Sequence, residues 1–241
     1  MKNSLIISVV IIGILIPGVA LPADSARTVK VGYIEFPPVF STNTAGKPEG
    51  VLIDLTGKVL EKAGYNWNAT SFPVKRMARN LVTGDIDLWV GLATLPVFQG
   101  KTLIGDSEVL KITLQSYTIG VKPPIKSKES LSGKKIIIIK GYSYGGWINY
   151  ITNSENSVAF TGTQNHTSAF KMLQAGRADY LLNYKLPSDT VLKKMAVPNL
   201  HYNTISQFGA HFVVSKKTYK AETLLMNIER AYEQLVKDGE I

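Results

Sequence analysis

"LVTGDIDLWV", residues 81–90, and "MLQAGRADYLLNY", residues 172–184, carry one phrase twice: Leu, two residues, Gly, two residues, Asp, then an apolar run. Leu81, Gly84 and Asp87 of the first copy are answered by Leu173, Gly176 and Asp179 of the second. A glycine just past an amphipathic segment reads as a helix end, and the apolar run after a short turn reads as a buried strand. Each copy therefore predicts helix, glycine cap, turn and core strand, and the pair predicts the same arrangement in each half of an α/β protein. Asp87 and Asp179 precede their strands, so both are read as structural turn residues.

Outward from the two copies the pattern alternates. "TVKVGYIEF" (28–36) is a β-rich run stopped by Pro37 and Pro38, and "STNTAGKPEG" (41–50) is a loop. "VLIDLTGKVLEKAG" (51–64) predicts a helix with Val51, Leu52, Leu55, Val59 and Leu60 on one face and Gly64 as its cap. A strand near "YNWNATSF" (65–72) and a helix over 73–81 follow. After Pro123 and Pro124 the order restarts: "KKIIIIKGY" (134–142) is a core strand, "YGGWINYIT" (144–152) opens a helix after glycines, and "TSAFKMLQAG" (167–176) leads into the second copy. "GAHFVVSKKT" (209–218) is a strand and "YKAETLLMNIERAYEQLVKDG" (219–239) an amphipathic helix, both expected back in the first half. The expected architecture is two sheet-and-helix lobes joined by a hinge with two crossings, near 117–122 and 208–212. Residues 24–119 with 208–241 form lobe 1 and residues 120–207 form lobe 2. Function is sought in the cleft between them.

Residues 1–23 read as a secretory signal peptide: Lys2, the run "LIISVVIIGILI" (5–16), then small residues around Ala20 and Ala23. The run is too short for a membrane span, which needs about 20 apolar residues. The 241 residues contain no cysteine, which excludes a lipid-modified cysteine, disulfides, thiolate metal sites and a cysteine nucleophile. The net charge of +9 is scattered without a dense run or a nucleic-acid motif, so it reads as a basic solvated surface. His166, His201 and His211 form no ligand-spaced cluster with acids, and neither metal nor cofactor is expected.

"VGYIEFPPVF", "GKPEGVLIDL", "LVTGDIDLWVGLAT", "LSGKKIIIIKG", "LQAGRADYLL" and the closing "YEQLVKDG", in this order and spacing, resemble the periplasmic solute-binding proteins of the polar amino acid type, family 3, that serve ABC importers. The resemblance spans essentially the whole exported chain and implies the two-lobed type II periplasmic-binding-protein fold. It implies a monomeric, soluble, non-enzymatic protein of the periplasm that delivers a small polar solute to a membrane permease or presents it to a membrane sensor. The chain stops after "KDGEI", short of the last helix that the resemblance implies.

Two ligand clamps of that family do not carry across. The motif Thr-x-Thr-x-x-Arg, whose Arg holds an α-carboxylate, reads "TLPVFQ" here, with Thr94 kept and Gln99 at the Arg position. The acidic position that pairs with an α-ammonium falls to Tyr184, beside Asn183. A desolvated ligand charge without a partner costs several kcal/mol, which argues against ordinary α-amino acid recognition. The remaining candidates are Tyr33, Glu35 and Phe36 in "GYIEFPPVF", Arg76 as a substitute anion clamp, and Tyr142 and Ser143 in "KGYSYGG", where backbone N–H groups can hold a ligand acceptor. Trp89 is read as core. "GYSYG" also matches the Gly-x-Ser-x-Gly of a hydrolase, with Ser143 followed by Asp179, Asp189, His201 and His211, but no oxyanion loop precedes it. Lyase chemistry on a binding-protein scaffold would need the carboxylate-holding Arg that is missing.

Overall fold

The computed structural model describes residues 27–93 and 95–241; the signal-peptide reading of 1–23 and the role expected of Thr94 lie outside the described residues. The first run of elements is β1 (Thr28–Tyr33), β2 (Ser41–Thr42), β3 (Pro48–Glu49), α1 (Val51–Lys62), β4 (Asn66–Ser71), α2 (Val74–Thr83), β5 (Leu88–Leu92) and β6 (Thr102–Ile104). β7 (Leu110–Ile119) carries the chain across to β8 (Lys135–Ile139), α3 (Trp147–Thr152), β9 (Ala159–Thr163), α4 (His166–Gln174), β10 (Tyr180–Tyr184) and α5 (Lys185–Leu192). β11 (Leu200–Ser215) returns it and α6 (Ala221–Lys237) follows.

β1 lies parallel between β4 and β5, and β8 lies parallel between β9 and β10. Between these groups run β7 and β11, antiparallel to each other and to their outer neighbours, giving the order β4-β1-β5-β11-β7-β10-β8-β9, with β6 also paired to β11. Each lobe was expected to have its own sheet; the strands instead form one continuous hydrogen-bonded ladder. The reason is the length of β11. Its residues 200–210 pair with β7 and its residues 210–214 with β5, so it is a member of both groups.

The repeated phrase folds alike in both halves. Gly84 ends α2 at φ 86°, and Gly176 follows α4 at φ 68°, both left-handed values that glycine adopts without strain. Asp87 N–H donates to Lys30 O (2.8 Å) while Asp87 Oδ2 accepts from Lys30 N–H (2.9 Å). Asp179 makes the same pair with Lys135, at 2.8 and 2.9 Å. Each aspartate thus splices its strand onto the neighbouring parallel strand just before their pairing begins, and each is charge-matched, Asp87 by Arg27 (2.5 Å) and Asp179 by Lys122 (3.2 Å). The phrase is written twice because each half needs this splice once.

Some local expectations shift. The buried face of α1 is Leu52, Ile53, Thr56, Gly57, Val59 and Leu60, whereas Val51, the first helical residue, points to solvent. α5 was not among the expected elements; its Pro187 stands third in the helix, where the backbone N–H it lacks has no intrahelical acceptor. α6 packs back on β11 and α1, and Asn227 Nδ2 donates to the Tyr65 hydroxyl (2.9 Å), as expected for an element returning to the first half.

Candidate functional site

Two loops at strand ends meet across the cleft. After β1 the chain turns sharply: Phe36 N–H donates to Phe40 O (2.9 Å), Phe40 N–H donates to Phe36 O (3.1 Å), and the Pro37–Pro38 bond between them is cis. The turn sets Phe36 at the cleft and stacks Phe40 on Trp89, with ring centroids 5.4 Å apart. Opposite, the loop between β8 and α3 passes from Ser143 in the right-handed region to Tyr144, Gly145 and Gly146 at φ 52°, 63° and 91°. A right-handed residue followed by left-handed ones turns successive N–H groups toward one point, a nest for an acceptor. Gly145 is required there twice over, by its φ and because a Cβ would lie 2.3 Å from Phe208 Cζ of β11. Tyr144 anchors the loop through its hydroxyl, which accepts from Ile139 N–H at 2.6 Å.

Between the loops is a cavity of about 60 Å³, measured as space open to the centre of a water molecule. Phe36, Phe40 and Trp89 line it from one side and Tyr142, Ser143 and Tyr184 from the other; among the described residues no charged side chain lines it. Phe36 meets Tyr142 edge-on at 5.3 Å and Tyr184 at 5.1 Å. A recess of about 320 Å³ opens beside it, lined by Glu35, Ser71, Lys140 and Tyr142 among others, so charge is confined to the mouth.

Tyr184 is the more enclosed of the two tyrosines that line the cavity. Burial holds its phenol well above the ordinary tyrosine range, opposed by the N–H groups of Gly145 and Tyr144 and the hydroxyl of Ser143 acting on its oxygen. The Tyr142 phenol is raised for the same first reason, followed by the nearby Tyr184 and Glu35. Tyr142 reaches His166 Nε2 (3.1 Å), and His166 Nδ1 reaches Asn183 Oδ1 (2.9 Å). Because that oxygen also accepts Tyr184 N–H (2.9 Å), it is an acceptor; neutral His166 then carries its proton on Nδ1 and accepts from Tyr142 at Nε2. Burial lowers the His166 pKa, which favours this neutral form, while the Asn183 hydrogen bond works the other way. Asn183 Nδ2 is buried with no partner among the described residues.

The structure thus brings together Phe36, Tyr142, Ser143 and Tyr184, with Asn183 directly behind them. Glu35 stands at the mouth, its carboxylate accepting from Thr42 Oγ1 (2.6 Å) and Ser71 Oγ (2.7 Å). Tyr33 lies under the surface, with its hydroxyl 2.7 Å from Thr42 Oγ1. Arg76 and Gln99 are exposed and line no part of the cavity. Trp89 is core and cavity wall at once, its Nε1 donating to Leu92 O (3.3 Å). His166 and Tyr144 were not singled out as site residues. His166 was weighed only as a metal ligand, and its partner Asn183 lies 17 residues on, a pairing that no local spacing announces. Of the hydrolase partners, Asp179 is bound to Lys135 and Lys122, Asp189 to Lys185, and His211 to Gly105 O, while His201 is exposed. Ser143 itself has the ordinary φ of −86°, and the left-handed strain falls on Tyr144 instead.

No family model and no curated protein matches the chain. Among solved structures it is similar to a histidine kinase sensor domain described as similar to periplasmic binding proteins (TM-score 0.69, 19% identity, 89% of this chain and 92% of that one). It is also similar to an ancestral arginine-binding protein bound to arginine (0.66, 23%, 88% and 93%) and to the substrate-binding protein of an amino acid ABC transporter (0.62, 18%, 89% and 95%). At these identities the likeness is one of architecture: the chain has the two-lobed α/β fold of the periplasmic binding proteins.

Proposed function

We propose that this is a periplasmic solute-binding protein that captures a small solute between its lobes and delivers it to the permease of an ABC importer, without covalent chemistry. The observation that carries the reading is the aromatic cavity, whose walls come from both sides of the β7–β11 pair, so that an occupant touching both sides favours closure. The moving bodies are residues 24–119 with 208–241, and residues 120–207. The uncharged lining supports a solute whose enclosed end is neutral, with any charge left at the mouth beside Glu35 and Lys140. A second reading, presentation of the solute to a membrane sensor, is favoured by the likeness to the kinase sensor domain.

The test is a thermal-shift screen of the chain from Asp24 onward against amino acids, betaines, polyamines, small organic acids and sugars. A solute at about 100 times its Kd stabilises the folded state by about 2.7 kcal/mol. The expected outcome is a shift confined to one chemical class and abolished by Tyr142→Ala. A shift that persists undiminished in Tyr142→Ala and Phe36→Ala would move binding out of the cleft. With the solute in hand, stimulated ATP hydrolysis by a reconstituted importer or altered autophosphorylation of a sensor kinase separates the two readings.

A further inference from the structure

Tyr184 stands where a bound solute would be expected. Its backbone is pinned from both directions: its N–H donates to Asn183 Oδ1 (2.9 Å), and its carbonyl accepts from Ser188 Oγ (2.8 Å) in the first turn of α5. The side chain lies in the cleft, where it is 6% exposed. There it lies against the left-handed turn of Tyr144 and Gly145, whose N–H groups oppose the burial that raises its phenol. Its ring lies on that of Tyr144 at 5.7 Å and only 11° from parallel, and receives Phe36 from the other lobe at 5.1 Å, nearly perpendicular. The two lobes thus touch through aromatic rings, and the space left to them is about 60 Å³.

We infer that Tyr184 is a resident stand-in for a solute: with its phenol oxygen in the nest and its ring against Phe36, it holds the unliganded protein closed, and a solute reaches the nest only by displacing it. This rests on the solute-binding reading and deepens it, because the resident group describes its competitor. The displacing solute presents an uncharged acceptor on a flat apolar body, since among the described residues no charged side chain lines the cavity to match anything else. A binding-competent form that must first expel Tyr184 is only part of the population, which weakens the apparent affinity by that fraction.

Small-angle scattering of the chain from Asp24 onward, with no solute added, tests the inference. The wild type is expected to be compact, and Tyr184→Ala to have a larger radius of gyration with an unchanged far-ultraviolet dichroism spectrum. 4-Methylphenol, which is the tyrosine side chain as a free molecule, is expected to return the variant to the wild-type value, whereas toluene, lacking the oxygen, is not. Phe36→Ala opens the protein from the other lobe without touching the nest, and Tyr184→Phe falls between wild type and Tyr184→Ala; these two carry the test should the alanine variant not fold. A wild type as expanded as Phe36→Ala, or equal action of 4-methylphenol and toluene, overturns the inference. A solute that raises the melting temperature of the wild type would leave the solute-binding reading standing even then.

Discussion

Asp87 and Asp179 make the same two backbone bonds in different surroundings, and the surroundings set what each contributes. Asp87 is 2% exposed and also accepts from Thr218 Oγ1 (2.9 Å), so Asp87→Ala strands several donors in the core at a cost of about 2–4 kcal/mol. Asp179 has a side chain 39% exposed, water replaces its bonds, and Asp179→Ala is expected to cost about 1 kcal/mol when both variants are compared by urea titration. Equal losses would show that the splice, and not its burial, sets the energy. His166 gives a pH dependence of definite sign. The unfolded chain takes up a proton as pH falls through the ordinary histidine value of 6.5, while the folded chain, with the ring buried between the Tyr142 hydroxyl and the Asn183 amide, resists to lower pH. Stability is fully present above 6.5, declines as pH falls below it, and levels off once the folded form also protonates. His166→Gln is expected to flatten that decline in melting scans from pH 7.5 to about 5; an unchanged profile would assign the decline to other groups. At this scale much of the site was legible, because Phe36, Tyr142 and Ser143 follow strand ends, Tyr184 closes β10, and the fold brings those ends together. What was not legible is direction. Arg76 is next to Met77, which lines the cavity, and one helical step of about 100° turns it to solvent. Tyr184 was readable as a missing clamp, but nothing in the chain announces that its own oxygen fills the nest.

The elements were readable where punctuation and periodicity agreed. Helix, glycine and strand in each repeated phrase formed as expected, whereas α5 was not expected, and β11 runs well upstream of its apolar part, where its first residues pair on β7 alone. The two capping glycines make a matched experiment. At Gly176 a Cβ meets open space, so Gly176→Ala incurs only the left-handed backbone penalty of about 1 kcal/mol. At Gly84 a Cβ would lie 2.7 Å from Lys217 Cβ, so Gly84→Ala is expected to cost about 2–3 kcal/mol. Urea midpoints at constant slope measure both. A larger loss at Gly176 would mean that α4 depends on its cap for more than the turn.

For the whole molecule, the scattered charge of +9 and the absence of cysteine narrowed the function classes, while the aromatic pattern in the cleft separates this chain from the charge-clamping pattern its sequence otherwise resembles. One feature of the frame bears on how such a molecule moves. The strands that cross between lobes are a paired ribbon, β7 against β11, and their register slips between Thr204 and Ser206, where the Ser206 hydroxyl is buried without a partner among the described residues. A ribbon with one irregular step bends and twists there more readily than along its regular length. Under the proposed closure the lobes swing about this step while the rungs on either side stay intact, in the manner of a torsion bar with a weak section; the bar supplies the restoring twist, and the rings at the far end of the lever supply the latch.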